Sequence, residues 1–536
     1  MNISIAQFRL SAPKTLTACL PYLPAAFIAV LFIATVALTW TGIGPGDVME
    51  YSKTALSWLN HGPVLGETHW SLRLPLVAPI AASYALFGPG EFTTTLPNIL
   101  YAGGLVATTF VFARKYFGRR AGLITSALVA TSAFLMMFQI DVRVFGPELF
   151  FTVLATWLFI DALMEKAGAA RFFLIGFIAA FAWLCRENAI FLPVSLGLIL
   201  LFRRPFPWGA IIAFSAGFGS VVLVELVVYG VVSGDPLYRY MIDLHHNTPK
   251  NSSAMQSFVE AGNALDTRPA PLDRFKRPFG QLMTTTTVTP FFLLAALVSV
   301  IPHFRRRFLR ESRPRMAFAV FGISSLMSYV MSGSVMNLTA PFYFPQLVYT
   351  FFLILGAFAA YLFDIARPRL AMAFIAGVVV LNAAAEDFRS YDEYAEPRWL
   401  ANLVESGVYP ITTDGLTARR TRMFLTFKGL SQEEAAERVP YLAADEPPPG
   451  AFVSVATPLG AKPALAPQPG WTELANARVR KPRWTHELLG AIGADHWGSY
   501  RLAEIVEGAP PVALYATSKE SAEDYRQMEE TSRSEP

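Results

Sequence analysis

The feature that most constrains this chain is a series of apolar runs, each about as long as an α-helix that crosses a bilayer. Windows of about 20 apolar residues identify eleven candidate spans. Their approximate bounds are 20–41, 96–114, 121–138, 148–164, 171–185, 189–203, 208–232, 287–302, 316–331, 345–363 and 369–385. Only 16% of the residues are charged, against about 25% in soluble domains. The sequence therefore predicts an α-helical polytopic membrane protein.

The loops between these runs predict its orientation. Five short loops are rich in Lys and Arg: ARKYFGRRAG, MEKAGAAR, FRRPFPW, HFRRRFLRESRPR and DIARPR. A cytoplasmic N terminus places them all on one side, which the positive-inside rule makes the cytoplasm. The run that begins at Leu20 is too long for a signal-peptide core and should remain as an anchor. The outer side then receives residues 42–95, 233–286 and the chain after about 386.

Composition also predicts the domains. Residues 1–385 form the membrane domain, and the Pro-interrupted segment 74–88 within it is expected to be an interfacial or re-entrant helix. Charges and short strand-like runs become common afterwards, so residues 386–517 are predicted to form a small water-facing α/β domain. Residues 518–536 are polar, and we expect them to be a disordered tail.

A pair of carboxylates stands where the chain should leave the first span. In PGDVMEYS, Asp47 and Glu50 are three residues apart, so both would occupy the first turn of a helix that starts there. The ordinary interpretation is an N-terminal cap with a solvated glutamate. The alternative is a functional site.

The order of the motifs resembles a known superfamily. The matching stretches are GPGDVMEYSKTALSWLNHG after the first span, RLPLVAPIAASYALFGPGEFTTTLPNIL, the turn YFGRRAG, QIDVRVFGPELFF and CRENAIFLPVSLG. Together they resemble the GT-C fold membrane glycosyltransferases that use polyprenyl-phosphate sugars, such as protein mannosyltransferases, the lipid A aminoarabinose transferase and rhizobial galacturonosyl transferases. The resemblance covers about residues 20–205. It departs at Arg186, where the family usually has Lys, and at Phe342, where relatives often have Arg.

The resemblance implies a function and a place. It implies a glycosyltransferase of the cell envelope, acting in lipopolysaccharide or protein glycosylation at the periplasmic face of a bacterial inner membrane. The donor would be a polyprenyl-phosphate sugar, which brings a hexosyl or pentosyl group, and the acceptor a lipid, glycan or protein. No cofactor is required by the sequence, although a divalent metal is possible.

Such a reaction needs a base and a positive site for the departing phosphate. Asp47 is the predicted general base, a role worth about 10²- to 10⁴-fold in rate. Arginines can grip a phosphate with two hydrogen bonds, and Arg143, Arg186 and Arg73 are the predicted phosphate ligands. The ordinary interpretation of each arginine is a side chain that reaches for the membrane interface.

Further acidic residues are candidates for a second carboxylate or an acceptor-binding group. Glu148 stands at the start of the span 148–164, Asp141 lies two residues before Arg143, and Glu50 lies beside Asp47. The ordinary interpretations are an ion pair of Asp141 with Arg143 and a helix N-terminal charge for Glu148. Glu67 and His69 share the outer loop of Asp47 and could hold a metal or the sugar, although a single Glu-x-His pattern is weak evidence. Glu225 is an ionisable residue inside an apolar span, which is a functional hypothesis by default.

Other classes of function fit less well. A nucleic-acid partner is not expected, because the basic residues lie in short loops and the outer Trp residues suit a membrane interface. A transporter or flippase of lipid-linked saccharides would place its polar groups near the midplane, often in two repeats. A polymerase or ligase of surface polysaccharide would share the substrates. The expected partners are therefore membrane lipid, a polyprenyl-phosphate sugar and an unknown acceptor.

Overall fold

The structure is a computed structural model that describes residues 23–40, 42–43, 47–63, 65–66, 68–140, 142–245, 271–285, 287–334, 338, 340–387, 394–441, 451–455, 467–477 and 512–534. Its first half is helical. The helices are α1 (Leu23–Thr39), α2 (Val48–His61), α3 (Leu74–Phe87), α4 (Glu91–Phe117), α5 (Arg119–Ala130), α6 (Ala133–Ile140), α7 (Phe145–Met164), α8 (Ala169–Cys185), α9 (Phe191–Leu201), α10 (Trp208–Ser233) and α11 (Tyr238–His245).

The second half adds helices and a small sheet. Its helices are α12 (Pro271–Thr284), α13 (Thr289–Ser299), α14 (Pro302–Arg310), α15 (Ser312–Ser334), α16 (Pro345–Asp364), α17 (Pro368–Asp387), α18 (Ala395–Glu405), α19 (Gly415–Phe427), α20 (Gln432–Arg438) and α21 (Lys519–Ser534). The strands are β1 (Ile411–Thr412), β2 (Phe452–Val455), β3 (Thr472–Ala477) and β4 (Val512–Ala516). Single 3₁₀ turns occupy Glu187–Ile190 and Pro341–Tyr343.

The predicted spans all fall on helices. Among the described residues, α4, α7, α10, α15 and α16 are long and apolar enough to cross a membrane, and the bent pair formed by Lys276–Thr284 and α13 is a sixth candidate. Shorter apolar helices account for the windows 20–41, 171–185, 189–203 and 369–385. The prediction of a multi-pass helical membrane protein is confirmed, whereas the number of crossings stays a prediction.

One predicted span is divided. The window 121–138 falls on α5 and α6, with a break at Thr131 and Ser132. The Ser132 hydroxyl accepts a hydrogen bond from the Leu135 amide at 3.2 Å and so starts a new helix inside an apolar run.

The largest hydrophobic core lies among the long helices. Trp157 on α7 is completely buried, and its indole Nε1 donates a hydrogen bond to the Tyr349 hydroxyl on α16 at 3.0 Å. The Phe112 and Phe321 rings contact the same indole from α4 and α15. A polar group in a dry core is stable only when it is paired, as this indole is.

The helix α7 separates two chemically different ends of the bundle. Glu148 lies in its first turn and Asp161 in its last, about 20 Å apart at the rise of an α-helix. At the Asp161 end, Lys115 and Arg171 of two basic loops pair with Asp161, and both also reach Glu165. The basic loops therefore gather at the end of α7 opposite to Glu148.

The C-terminal sheet is mixed and packs on the outer helices. Its strand order is β1-β2-β4-β3, with β1 parallel to β2 and the other pairs antiparallel. A second core joins residues of α2 and α3, including Tyr51 and Tyr84, to Leu400 of α18, Phe424 of α19 and Leu514 of β4. The C-terminal segment thus shares its core with the two helices that precede α4. The division at residue 386 stays a prediction.

The prediction of a disordered tail at residues 518–536 is wrong for most of its length. Residues 519–534 form α21, in which Ala522 is buried and Tyr525 and Met528 pack on the second core. Positions 522, 525 and 528 recur every three residues and form one face of a helix. This short apolar face is easily missed in a segment that is otherwise polar.

Candidate active site

The helix α2 carries Asp47 at its N terminus. Val48, Tyr51, Ser52 and Ala55 are buried, which is the spacing of one helical face. Asp47 is the residue before the first turn and is exposed, and its side chain makes no capping hydrogen bond. Asp47 therefore does not make the side-chain hydrogen bond to the first turn that defines a capping residue, and its carboxylate is accessible to water.

Arg73 joins α2 to the start of α3. Its Nη1 donates a hydrogen bond to the Tyr51 hydroxyl at 2.7 Å, and the side chain is only 8% exposed. Burial raises the pKa of Tyr51 to about 12, against the opposing effect of the Arg73 charge. Tyr51 therefore stays a neutral phenol at neutral pH. The Nε atom of Arg73 is buried and has no hydrogen-bond partner among the described residues.

Arg186 occupies the turn between α8 and the 3₁₀ turn Glu187–Ile190. Its guanidinium carbon lies 4.6 Å from the centre of the Phe145 ring and 4.3 Å from that of the Tyr343 ring. The Asn188 amide nitrogen holds the Tyr343 carbonyl at 2.7 Å. Two rings at about 88° to each other therefore contact a buried guanidinium and restrict its movement.

Glu148 faces Arg186 across a short gap. Its Oε2 lies 3.9 Å from Arg186 Nη1, too far for a hydrogen bond. Both atoms are buried, and in the described part of the chain neither has a hydrogen-bond partner. Buried polar atoms are almost always satisfied, so a donor and an acceptor left open side by side indicate a place for a polar ligand.

These side chains form one electrostatic cluster. The charge of Asp47 acts on both Tyr51 and Arg73, and that of Arg186 also acts on Tyr51. Arg73 and Arg186 both act on Glu148. Four residues predicted from separate segments of the sequence, Asp47, Arg73, Glu148 and Arg186, are thus brought together. We call Asp47, Tyr51, Arg73, Glu148 and Arg186 the arginine cluster; their roles stay predictions.

The remaining predicted residues are placed differently. The Arg143 carbonyl accepts a hydrogen bond from the Asn98 side chain at 2.8 Å. Arg143 lies two residues before Phe145, whose ring packs on Arg186. Glu50 points to a cleft of about 410 Å³ between α2 and the helices α19 and α20, which Lys53 and Arg422 also line.

The predicted metal or sugar site is described only in part. The His69 ring packs on Trp70 with ring centres 4.0 Å apart. Glu67 and Asp141 lie outside the described residues. Within the described residues, no group of three or more His, Cys, Asp or Glu side chains could hold a metal ion.

Sequence reasoning missed a second buried charge network beside the cluster. Arg239 on α11 is 1% exposed, and its two terminal nitrogens contact Glu225 and Glu187, each at 2.8 Å. The sequence marks Glu225 as an ionisable residue in a span, but its partner Arg239 comes 14 residues later from another helix. Tyr343 carried no signal of its own in the sequence, where only its neighbour Phe342 departs from the resemblance.

The helical bundle thus has buried arginines and carboxylates at one end, beside an exposed Asp at a helix terminus. Residues 75–229 match the family described as dolichyl-phosphate-mannose-protein mannosyltransferase. The structure is similar to that of ArnT from Cupriavidus metallidurans in the apo state, with a TM-score of 0.51 and 12% identity over 82% of this chain and 93% of that chain. This likeness confirms the GT-C fold.

Two further structures are similar at lower TM-scores. The first is ArnT from Cupriavidus metallidurans bound to undecaprenyl phosphate, with a TM-score of 0.49 and 13% identity over 83% of this chain and 94% of that chain. The second is the Archaeoglobus fulgidus oligosaccharyltransferase in the apo form, with a TM-score of 0.46 and 12% identity over 78% of this chain and 64% of that chain. No curated protein sequence is significantly similar to this chain.

Proposed function

We propose that this protein is a glycosyltransferase that moves one sugar from a polyprenyl-phosphate donor to an acceptor hydroxyl at the periplasmic face of a bacterial inner membrane. The observation that carries the proposal is the set of open buried atoms in the arginine cluster: Nε of Arg73, Nη1 of Arg186 and Oε2 of Glu148. Two unpaired guanidinium nitrogens favour an anionic oxygen such as that of a phosphate. The match to a dolichyl-phosphate-mannose family supports the same donor class.

The proposed reaction is an inverting transfer. Asp47 takes the proton of the acceptor hydroxyl while that oxygen attacks the anomeric carbon. The bond between this carbon and the phosphate oxygen breaks, and its electron pair stays on the polyprenyl phosphate. Arg73 and Arg186 stabilise the negative charge that develops there, which is the largest contribution in many enzymes.

Glu148 is proposed to face the sugar. Its Oε2 lies beside Arg186 and can accept a hydrogen bond from a sugar hydroxyl. The Phe145 and Tyr343 rings keep the Arg186 guanidinium from turning to satisfy Glu148 by itself.

The periplasmic placement rests on charge. The basic loops lie at the end of α7 opposite to the arginine cluster, and basic loops stay in the cytoplasm. A cysteine scan with a membrane-impermeant thiol reagent on intact cells tests this orientation. Labelling at Ser57→Cys on α2 is expected, and labelling at Arg120→Cys would contradict it.

A panel assay tests the transfer itself. Purified protein is incubated with labelled polyprenyl-phosphate sugars and with lipid A, glycan or peptide acceptors, and radiolabel in the acceptor is measured. Transfer from at least one donor is expected. Translocation of a lipid-linked saccharide across liposomes without any transfer would instead identify a flippase, and joining of whole glycan chains a polymerase or ligase.

A further inference from the structure

The network that surrounds Arg239 lies next to the arginine cluster and has no role in the transfer proposed above. Glu187 follows Arg186 directly in the chain, and its charge acts on both Arg186 and Arg73. A carboxylate in that position is a natural competitor for a phosphate, because both are anions that arginine binds with two hydrogen bonds.

Arg239 holds this carboxylate. Its Nη2 contacts Glu187 Oε1 at 2.8 Å and also donates a hydrogen bond to the Trp183 carbonyl at 3.0 Å. Its Nη1 contacts Glu225 Oε1 at 2.8 Å. The guanidinium lies 5.5 Å from the Trp183 ring. These contacts engage both terminal nitrogens and leave Arg239 little freedom to move.

The two carboxylates differ in how firmly they are held. The Glu225 side chain is 2% exposed and lies inside α10, where the Tyr240 hydroxyl also donates to it at 3.3 Å. The Glu187 side chain is 30% exposed and stands on a 3₁₀ turn. Glu225 therefore anchors Arg239, and Glu187 is the more exposed end of the network.

We infer that Arg239 is a positioning residue that holds Glu187 away from Arg186 and Arg73, so that both arginines stay open to the donor phosphate. The charges of Arg239 and Glu225 sum to zero, so the triad with Glu187 keeps a net charge of −1. The second guanidinium edge of Arg239 holds Glu187 through its ion pair without neutralising the whole triad. Without the Arg239 guanidinium, the Glu187 carboxylate turns toward Arg186 and Arg73. This inference rests on the proposed function, because it assigns a phosphate to the same arginines.

A double substitution tests it without leaving a charge buried alone. Arg239→Met with Glu225→Gln replaces the buried ion pair by neutral side chains of similar size, a change that proteins often tolerate, and releases Glu187. Undecaprenyl phosphate binding is measured by microscale thermophoresis on the full chain in nanodiscs. The dissociation constant is expected to rise by at least about tenfold, the factor for one charged hydrogen bond.

A third substitution separates positioning from structure. Adding Glu187→Gln removes the competing carboxylate, and the affinity should return to within about threefold of wild type. Arg203→Met, a matched change at the opposite end of the bundle, should leave the affinity unchanged. Unchanged binding in the double variant, or no recovery in the triple variant, would overturn the inference.

Two further measurements, on the Glu187→Gln variant and on the structure of the double variant, test the role of Glu187 directly. Glu187→Gln alone changes a partly exposed residue and should bind undecaprenyl phosphate as tightly as wild type or more tightly; weaker binding would show that Glu187 is itself a ligand. A cryo-EM map of the double variant should show Glu187 within hydrogen-bond distance of Arg186. If wild type does not bind undecaprenyl phosphate, the proposed function fails, and the position of Glu187 in this map still decides the inference.

Discussion

At the scale of single residues, the arginine cluster contains buried side-chain atoms of Arg73, Glu148 and Arg186 that have no hydrogen-bond partner among the described residues. Arg186 is held by two aromatic rings and a carboxylate 3.9 Å away, and Arg73 by one phenol. Each guanidinium therefore keeps its charge but not all of its hydrogen bonds. A binding site for an anion needs this balance, since full internal pairing would remove the affinity.

Arg186 gives a prediction at this scale. Arg186→Gln should raise the dissociation constant for undecaprenyl phosphate by about 10- to 100-fold, because a charged hydrogen bond is lost. Arg186→Lys should bind within a few-fold of wild type, because lysine keeps the charge and stands at this position in the family that the sequence resembles. Isothermal titration of both variants checks this. Equal losses in the two would show that the geometry of arginine, not its charge, is required.

Residue identity in the site was partly predictable. Asp47, Arg73, Glu148 and Arg186 stand out because they lie at the ends of apolar runs opposite to the basic loops, and their order resembles a known pattern. Arg239 carried no such signal, since its carboxylate partners come from α10 and from the turn after α8. Contacts between separate helices depend on packing, which hydropathy does not reveal.

At the scale of elements, the contact of α8 with α10 sets the position of both charge networks. A Cβ at Gly176 would lie 2.0 Å from the Phe214 carbonyl, and one at Gly217 would lie 2.0 Å from the Phe173 carbonyl. The two backbones touch through paired glycines, as in many membrane helix pairs. Arg186 follows α8, and Glu225 lies on α10.

This contact predicts the effect of single methyl groups. Gly176→Ala or Gly217→Ala should destabilise the protein by about 1–3 kcal/mol, the usual cost of overpacking, and should weaken donor binding because Arg186 shifts. Gly219→Ala on α10 meets no atom within 4 Å and serves as the matched control. Thermal unfolding in detergent measures the difference. Equal melting temperatures for Gly176→Ala and Gly219→Ala would contradict the packing argument.

Elements were predicted better than their ends. Every apolar window became helical because twenty apolar residues in a row have few alternatives in a membrane. The break between α5 and α6 escaped hydropathy because one serine hydroxyl makes it. The helix α21 escaped because its apolar face has only a few residues and depends on the sheet beneath it.

At the scale of the whole molecule, the C-terminal segment is bound to the membrane helices by polar as well as apolar contacts. Arg398 on α18 pairs with Glu91 at the start of α4 at 2.9 Å and also donates to the Ile43 carbonyl at 3.0 Å. With the shared second core, these contacts fix α2 between the bundle and the sheet. The orientation of Asp47 therefore depends on both halves of the chain.

The stability of the C-terminal segment should depend on pH through Glu396. Burial raises the pKa of Glu396 to about 7 from 4.5, and a hydrogen bond from Ser454 at 2.9 Å only partly opposes this. The folded state therefore holds a proton that the unfolded state releases between these values. The contribution of Glu396 to stability is greatest below pH 4.5. It falls as the pH rises from 4.5 to about 7, by up to about 1.4 kcal/mol per pH unit.

A substitution isolates this effect from other titrations. Glu396→Gln keeps the shape of the side chain and removes its charge. Between pH 5 and pH 8, the free energy of unfolding of the variant should therefore increase relative to that of wild type by about 1–3 kcal/mol. Melting temperatures of the two purified proteins across this range give the comparison. If the melting temperatures of the two proteins changed in parallel with pH, the raised pKa assigned to Glu396 would be contradicted.

The central claim is that an exposed carboxylate at the start of α2 removes a proton beside a phosphate-binding pair of arginines. The most direct measurement is the rate of sugar transfer by Asp47→Asn, with undecaprenyl phosphate binding and melting temperature measured on the same sample. We predict a loss of at least about 100-fold in rate with binding and folding unchanged. Transfer at the wild-type rate would contradict the account.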